Sequence, residues 1–403
     1  MNKRLYHLYC RVFQTTLFLV SPLLPYKKQR LITGARSILT LPAIIKESHK
    51  QHICIISDTH VITLPIVQEL LIELQKENIH YSIFDEVPPN PTVASIEKAK
   101  IFYSEQKCDS LVAIGGGSSI DSAKALGALI AYPKKSLYQM KGILKVHRAI
   151  PFLIAIPSTA GTGSEATVAA VVTDPSLKEK YAINSFPLIP KVAILDSELT
   201  RTLPLHLTST TAMDALTHAI EAYIGNSSTL YSRKASIDAT TIIFNEIEKV
   251  HKDVNLDSSR QKLLIASYRG GEAFTRSYVG NVHALSHPLT AYYGIAHGLA
   301  NAVTLPHVLI FYGTKAHKKL ASLAREAHII EKGKSDEETA TLFIEKIRAL
   351  NKALDIKEGF KEIREEDLGA LIHHALGEAN PLYPVPVIFD EDDCRTIYHN
   401  LMK

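Results

Sequence analysis

Between residue 31 and about residue 204, short β-branched runs alternate with stretches of helical periodicity; after that only the helical period remains. The runs HICIISD (52–58), HYSIFDEV, SLVAIGGG, PFLIAIPST and KVAILD have the length and apolarity of buried strands. LPIVQELLIELQKE (64–77) and SSIDSAKALGALIAY read as helices, as does PPNPTVASIEKAKIFYSEQK once past its prolines, which forbid helix. VAAVVTD followed by KYAIN reads as a hairpin. Parallel strands need crossover connections, so strand–helix alternation predicts a parallel sheet wound on both faces. Past DSELTRTLP, from about Leu205, almost no strand signal occurs, and EKGKSDEE (331–338) and LDIKEG (354–359) are the clearest breaks. We expect an α/β domain over 1–204, including an arm over 1–30, and an all-helical domain over 205–403.

The charge balance, 45 basic against 41 acidic residues for a net +4, has no long basic run and does not indicate nucleic acid. Cys10, Cys54, Cys108 and Cys394 are scattered without a CxxC, which points to a reducing compartment and no disulfide framework. Lys3, Arg4 and Arg11 precede FQTTLFLVSPLLP, but this apolar stretch is short and interrupted, and no small-x-small cleavage site follows. A packed arm on a cytoplasmic protein, with no membrane partner, is the expectation.

Gly115-Gly116-Gly117-Ser118-Ser119 stands between an apolar strand and a helix. Glycines let backbone approach a ligand, and a helix start offers N–H groups and a positive dipole end, so the loop reads as a phosphate site. It is not GxGxxG, because Ile120 stands at the third glycine position. It is not a P-loop: the nearest GKS, Gly333-Lys334-Ser335, has His328 where a glycine is required. The small, hydroxyl-rich run PSTAGTGSEAT (157–167) reads either as a floor beneath a flat ligand, with Ser158, Thr159 and Thr162 as polar partners, or as a flexible loop. Asp58, expected at the end of the first strand, reads as a ribose-binding carboxylate that repels a 2′-phosphate and favours NAD over NADP, or as a solvated turn residue.

In the helical half, Asp214 and His218 are four residues apart, on one face of a helix. His283, His287 and His297 lie in an apolar, small-residue run (280–302). Neutral imidazole is a common metal ligand, so these stretches suggest a buried metal, although with 18 histidines such spacings also arise by chance. Spacing alone favours His283 with His287. His373 and His374 read as partly exposed helix residues.

Taken together, GGGSSIDSAKA, PSTAGTGSEAT, PKVAILD, AMDALTHAIEAY, VHALSHPLTAYYGIAHGLANAVTLPHV and GEANPLYP resemble the iron-containing (group III) alcohol dehydrogenase family from about residue 31 onward. The resemblance implies the dehydroquinate synthase-like fold: a Rossmann-like dinucleotide-binding domain, a helical metal domain, and an active site in the cleft between them. It implies an NAD-dependent enzyme with Fe2+, Zn2+ being possible, that interconverts a small primary alcohol or diol and its aldehyde, and a homo-oligomer, a dimer. It implies Asp214, His218, His283 and His297 as metal ligands, with the chain bending near Tyr293-Gly294, and His287 as a catalytic histidine near substrate. It implies Asp58, Asn90, Gly116, Gly117, Ser118, Ser158, Thr159, Thr162, Thr167, Lys180, Leu199 and Leu203 as NAD contacts. Ser119 and Ala296 stand where the family often has proline. Other readings are glycerol dehydrogenase or a cyclase of the same fold, which would need basic residues lining its cleft, and a non-catalytic binding protein, against which the intact ligand set argues.

Overall fold

The structure, a computed structural model, describes residues 3–20, 24–26, 29–177 and 179–403. The chain forms two compact units, one of Pro25–Leu203 with Asn255–Tyr268, the other of Met1–Leu24, Pro204–Val254 and Arg269–Lys403. The first element, α1 (Lys3–Val20), therefore groups with the helical half, not with the α/β half to which the arm was assigned. The reason is a set of side-chain anchors. Arg11 donates to the carbonyls of Val385 and Pro386 at 2.6 and 3.0 Å, and Gln14 Nε2 donates to Tyr383 O at 2.7 Å. Cys10 is buried in an apolar cluster with Tyr383, Val385 and Ile388.

The α/β unit runs β1 (Arg30–Thr33), α2 (Leu41–Glu47), β2 (His52–Ile56), α3 (Pro65–Lys76), β3 (His80–Phe84), α4 (Val93–Glu105), β4 (Ser110–Gly115), α5 (Gly117–Ala131), β5 (Gly142–Ile143), β6 (Phe152–Pro157), β7 (Ala169–Asp174), β8 (Glu179–Asn184) and β9 (Val192–Leu195). The main sheet has the order β1-β9-β6-β4-β2-β3 and is parallel throughout. Alternation along each strand feeds two apolar layers. Cys54, Ile56, Leu111, Ala113, Leu153 and Ala155 face one layer with α4 and α5, and Ile53, Ile55, Val112, Ile114, Ile154 and Ile156 face the other with α2 and α3. Each fully buried aliphatic side chain contributes about 1.5–3 kcal/mol, so a strand buried on both faces must read as an unbroken apolar run. The predicted hairpin is β7–β8, antiparallel, with β5 beside β8 in a second sheet.

Two details differ from expectation. HICII is the second strand, because the edge strand β1 precedes it in sequence, and it stops at Ile56; Asp58 lies just beyond, in a bridge with Glu86. From β2 onward the sheet has the doubly wound order 2-1-3-4-5, whose direction reverses between β2 and β4. Ligands bind at the C-terminal strand ends of such a switch point, which is where Asp58 and the glycine loop emerge.

The helical unit contains α6 (Leu205–Ile224), α7 (Leu230–Lys252), the C-terminal part of α8 (Asp257–Ser277), α9 (Asn281–Tyr293), α10 (His297–Tyr312), α11 (Thr314–Glu326), α12 (Asp336–Ala353), α13 (Leu368–Ala379) and α14 (Glu391–Leu401). Helix α6 packs on α7 and α10, and α9 packs on α10 and α13. Gly294, at a left-handed φ of 67°, ends α9, and α10 starts at His297. Among the described residues no helix is long and apolar enough to cross a membrane.

Candidate metal and cofactor sites

Helix α6 is buried along nearly its whole length and carries Asp214 and His218 one turn apart. The turn at Gly294 lets His283 from α9 and His297 from α10 meet this face. Gly298 permits the approach: a Cβ there would lie 2.5 Å from the Thr210 carbonyl and 3.4 Å from Asp214 Cβ. Asp214 Oδ1 is 3.8 Å from His283 Nε2, 3.6 Å from His297 Nε2 and 4.0 Å from His218 Nε2. The His218 ring stacks on His283 with centroids 4.6 Å apart. Asp214, His283 and His297 offer ligand atoms that all lie within 4.8 Å of one another.

Two residues that sequence reasoning missed complete this cluster. Asn301, one turn after His297 and fully buried, places Nδ2 2.7 Å from Asp214 Oδ1 and 3.1 Å from both His283 Nε2 and His297 Nε2. An amide N–H only donates, so both imidazoles turn lone pairs toward one point beside a carboxylate oxygen. Asn301 Oδ1 is buried and has no hydrogen-bond partner among the described residues. Glu221 Oε2 lies 2.6 Å from His283 Nδ1. Burial pushes the Glu221 carboxyl up while the Gly280 and Val282 amides and His283 favour its ionised form, and burial followed by the neighbouring imidazoles holds His283 well below the usual histidine range, which keeps it neutral. Converging lone pairs with one carboxylate, in a buried site, fit a divalent cation; atoms 3.6–3.8 Å apart match ligands each roughly 2.1 Å from a shared ion. His287 is not in that group. Its ring stacks on His297, centroids 4.9 Å apart, and its Nδ1 lies 2.7 Å from Glu378 Oε1, which also accepts from Tyr383 Oη at 2.6 Å. His373 and His374 are exposed on α13.

In the α/β unit, Gly116 is the N-cap of α5 and no side chain caps it. The run 157–167 passes directly beneath: a Cβ on Gly116 would lie 3.4 Å from Thr159 Cγ2, and one on Gly117 only 2.8 Å from Thr162 Cγ2. A methyl at Gly117 would force the Thr162 side chain to shift, whereas one at Gly116 would only touch Thr159. Asp58 Oδ1 accepts from the amides of His60 and Val61, while Oδ2 faces the Gly115 position at 3.6 Å. Ser118 Oγ donates to Pro89 O, and Lys180 Nζ donates to Asn90 Oδ1 at 3.3 Å, so Asn90, Ser118 and Lys180 gather at the same loop. Ser158 donates its amide to Gly115 O at 2.9 Å. Leu203 is half-buried after β9. Leu199 is buried in the apolar layer of α2 and α3, and Thr167 Oγ1 is 2.9 Å from the ammonium of Lys124. Lys124, fully buried, also reaches Ser164 O at 2.6 Å and Ala169 O at 2.8 Å. A glycine cradle over a small-residue floor, with a carboxylate at the switch point, fits a dinucleotide.

Residues 28–197 match the family described as iron-containing alcohol dehydrogenase, and residues 208–402 match the C-terminal part of the Fe-containing alcohol dehydrogenase family. The chain is 31% identical to the NAD-dependent methanol dehydrogenase of Bacillus methanolicus over 85% of its own length and 91% of that protein. It is 30% identical to lactaldehyde reductase of Escherichia coli strain K12 over 86% and 91%. The solved structure of the alcohol dehydrogenase from Oenococcus oeni superposes with a TM-score of 0.89 at 27% identity, covering 93% of this chain and 100% of that one. A parallel nucleotide-type sheet joined to a helical unit with a buried carboxylate–imidazole cluster defines a metal-dependent dehydrogenase. The chain belongs to the iron-containing alcohol dehydrogenase family and is an oxidoreductase.

Proposed function

We propose that this protein is an NAD-dependent alcohol dehydrogenase with a divalent metal, Fe2+ in the cell, that interconverts a small primary alcohol or diol and its aldehyde. The observation that carries the reading is the buried convergence of Asp214, His283 and His297, with His218 stacked beside them. In this reading Asp214, His218, His283 and His297 would hold the ion, and one carboxylate with imidazoles accepts Fe2+ or Zn2+, zinc the more tightly. When bound, the ion supplies a Lewis acid for the alcohol oxygen and NAD supplies the hydride acceptor. Gly116, Gly117 and Ser118 would hold the diphosphate, Ser158, Thr159 and Thr162 would line the flat end of the cofactor, and Asp58 Oδ2 would accept from the ribose hydroxyls. Asn90, Lys180 and Leu203 border the cofactor. His287, half-buried and held by Glu378, carries the alcohol proton away from the site. A positioned general base contributes about 10²–10⁴-fold, whereas the pKa drop of zinc-bound water, from 15.7 to about 7, is worth roughly 12 kcal/mol, so His287 assists and does not dominate. The small substrates named for the methanol and lactaldehyde enzymes support the substrate class.

The same reading places the enzyme in the cytoplasm as a homodimer, with the α/β segment up to about residue 204 and the helical segment 205–403 as its functional halves and α1 belonging with the helical one. Four free, buried cysteines are in keeping with a reducing compartment. The test is anaerobic NAD reduction with a panel of short primary alcohols and diols after loading with Fe2+ or Zn2+, with NADP in parallel and sedimentation for the assembly. Metal-dependent turnover with NAD is expected. A metal-loaded protein inactive on the whole panel would overturn the reading.

A further inference from the structure

Glu221 follows Asp214 and His218 on the same face of α6, yet its carboxylate points at the start of α9. Oε1 accepts from the Val282 amide at 2.7 Å, and Oε2 accepts from the Gly280 amide at 2.8 Å and lies 2.6 Å from His283 Nδ1. Gly280 is the N-cap of α9 and offers no side chain, so a carboxylate from another helix takes amides that the helix leaves open. The His283 ring is thereby constrained at both ends. With Nδ1–H donating to Glu221, Nε2 keeps its lone pair, and that is the form the Asn301 amide at 3.1 Å also requires. A ring protonated on Nε2 would oppose the Asn301 donor and could not bind a cation. Gly280 belongs to the same device, since a Cβ there would lie 2.8 Å from Glu221 Oε1.

We propose that Glu221 is the positioning residue of the metal centre: it fixes the tautomer and ring angle of His283, and the bare Gly280 leaves the carboxylate its seat. The proposal rests on the reading of Asp214, His218, His283 and His297 as ligands. Carboxylates behind metal-bound histidines typically govern affinity by about 10–100-fold. In Glu221→Gln an amide NH2 must face either the Val282 amide or the side of His283 Nδ1, so at least one donor meets another donor. In Gly280→Ala the carboxylate stays but is pushed off its seat.

The experiment measures Co2+ affinity of the full chain by chelator competition, the Co2+ absorption bands, and the melting temperature of the metal-free protein. Both variants are expected to bind Co2+ about 10–100-fold more weakly than wild type and with altered bands. Wild-type affinity and bands in both, with only a lower metal-free melting temperature, would show that Glu221 merely caps α9 and would overturn the proposal. Should Glu221→Gln fail to fold, Gly280→Ala decides alone. A wild-type protein that binds no Co2+ would instead bring down the ligand assignment itself.

Discussion

Glu165 sits at 1% exposure beneath the glycine loop, and among the described residues no other donates to its carboxylate oxygens. Burial pushes its carboxyl up to about 7, from an ordinary value of 4.5, with Lys124 pulling the other way. The folded state then binds more protons than the unfolded state between those two values. Stability from this group is therefore full below the lower one and is lost as pH rises through the upper one. The interval corresponds to about 3 kcal/mol. Glu165→Gln stays neutral throughout, so its stability advantage over wild type is expected to grow between pH 5 and pH 8. Denaturant titrations at those two pH values check this, and an advantage that shrinks with pH contradicts it. Two histidines give a second contrast. His297→Ala is expected to lose both bound metal and activity, whereas His287→Ala keeps stoichiometric metal and loses about 10²–10⁴-fold in turnover. Metal analysis alongside kinetics separates them, and a metal-free His287→Ala would make His287 a ligand. Spacing in the sequence favours His283 with His287 because it shows only neighbours along one helix. The structure gathers His297 instead, since the turn at Gly294 brings α10 back. Glu378 was invisible for a related reason, its partner lying 91 residues away. Glu221 did leave a trace, as a third polar group on the apolar face of α6 that already carries Asp214 and His218.

Elements that bury both faces announced themselves in the sequence, and those that bury neither did not. The strands β2, β4, β6 and β9 stand out because nearly every position is buried. Edge strand β1, with an exposed Arg30, Leu31 and Thr33, carries no such pattern and is defined only by its pairing with β9. Helix α1 is apolar enough to resemble a leader, and what docks it is Arg11 and Gln14 reaching carbonyls some 370 residues on, which no local pattern encodes. Packing between elements also sets the next expectation. At Gly298 an added methyl meets the Thr210 carbonyl, which is backbone and cannot turn aside, so α10 must move away from α6. Gly298→Ala is expected to cost about 1–3 kcal/mol and to weaken metal binding, because His297 adjoins it. Thermal melts with and without metal measure both parts. A variant that melts lower yet binds metal as wild type does would uncouple helix spacing from the site.

At the scale of the whole chain, the residues proposed to hold the metal and those proposed to hold NAD belong to different units. Asp214, His218, His283 and His297 all lie in Pro204–Val254 and Arg269–Lys403, and the glycine cradle with Asp58 lies in Pro25–Leu203. A ligand stabilises the folded unit that holds it by RT ln(1 + [L]/Kd), about 2.7 kcal/mol at a hundredfold excess over Kd. For a unit of roughly 200 residues that is a rise of about 5–10 °C in its transition. Metal should therefore raise one calorimetric transition and NAD another, and a chelator should reverse only the first. His297→Ala should abolish the metal shift while keeping the NAD shift, and a bulky residue at Gly117, which would strike Thr162, should do the converse. If both ligands instead raise a single indivisible transition, the halves unfold as one block, and the division of labour between them is a matter of chemistry without an energetic boundary.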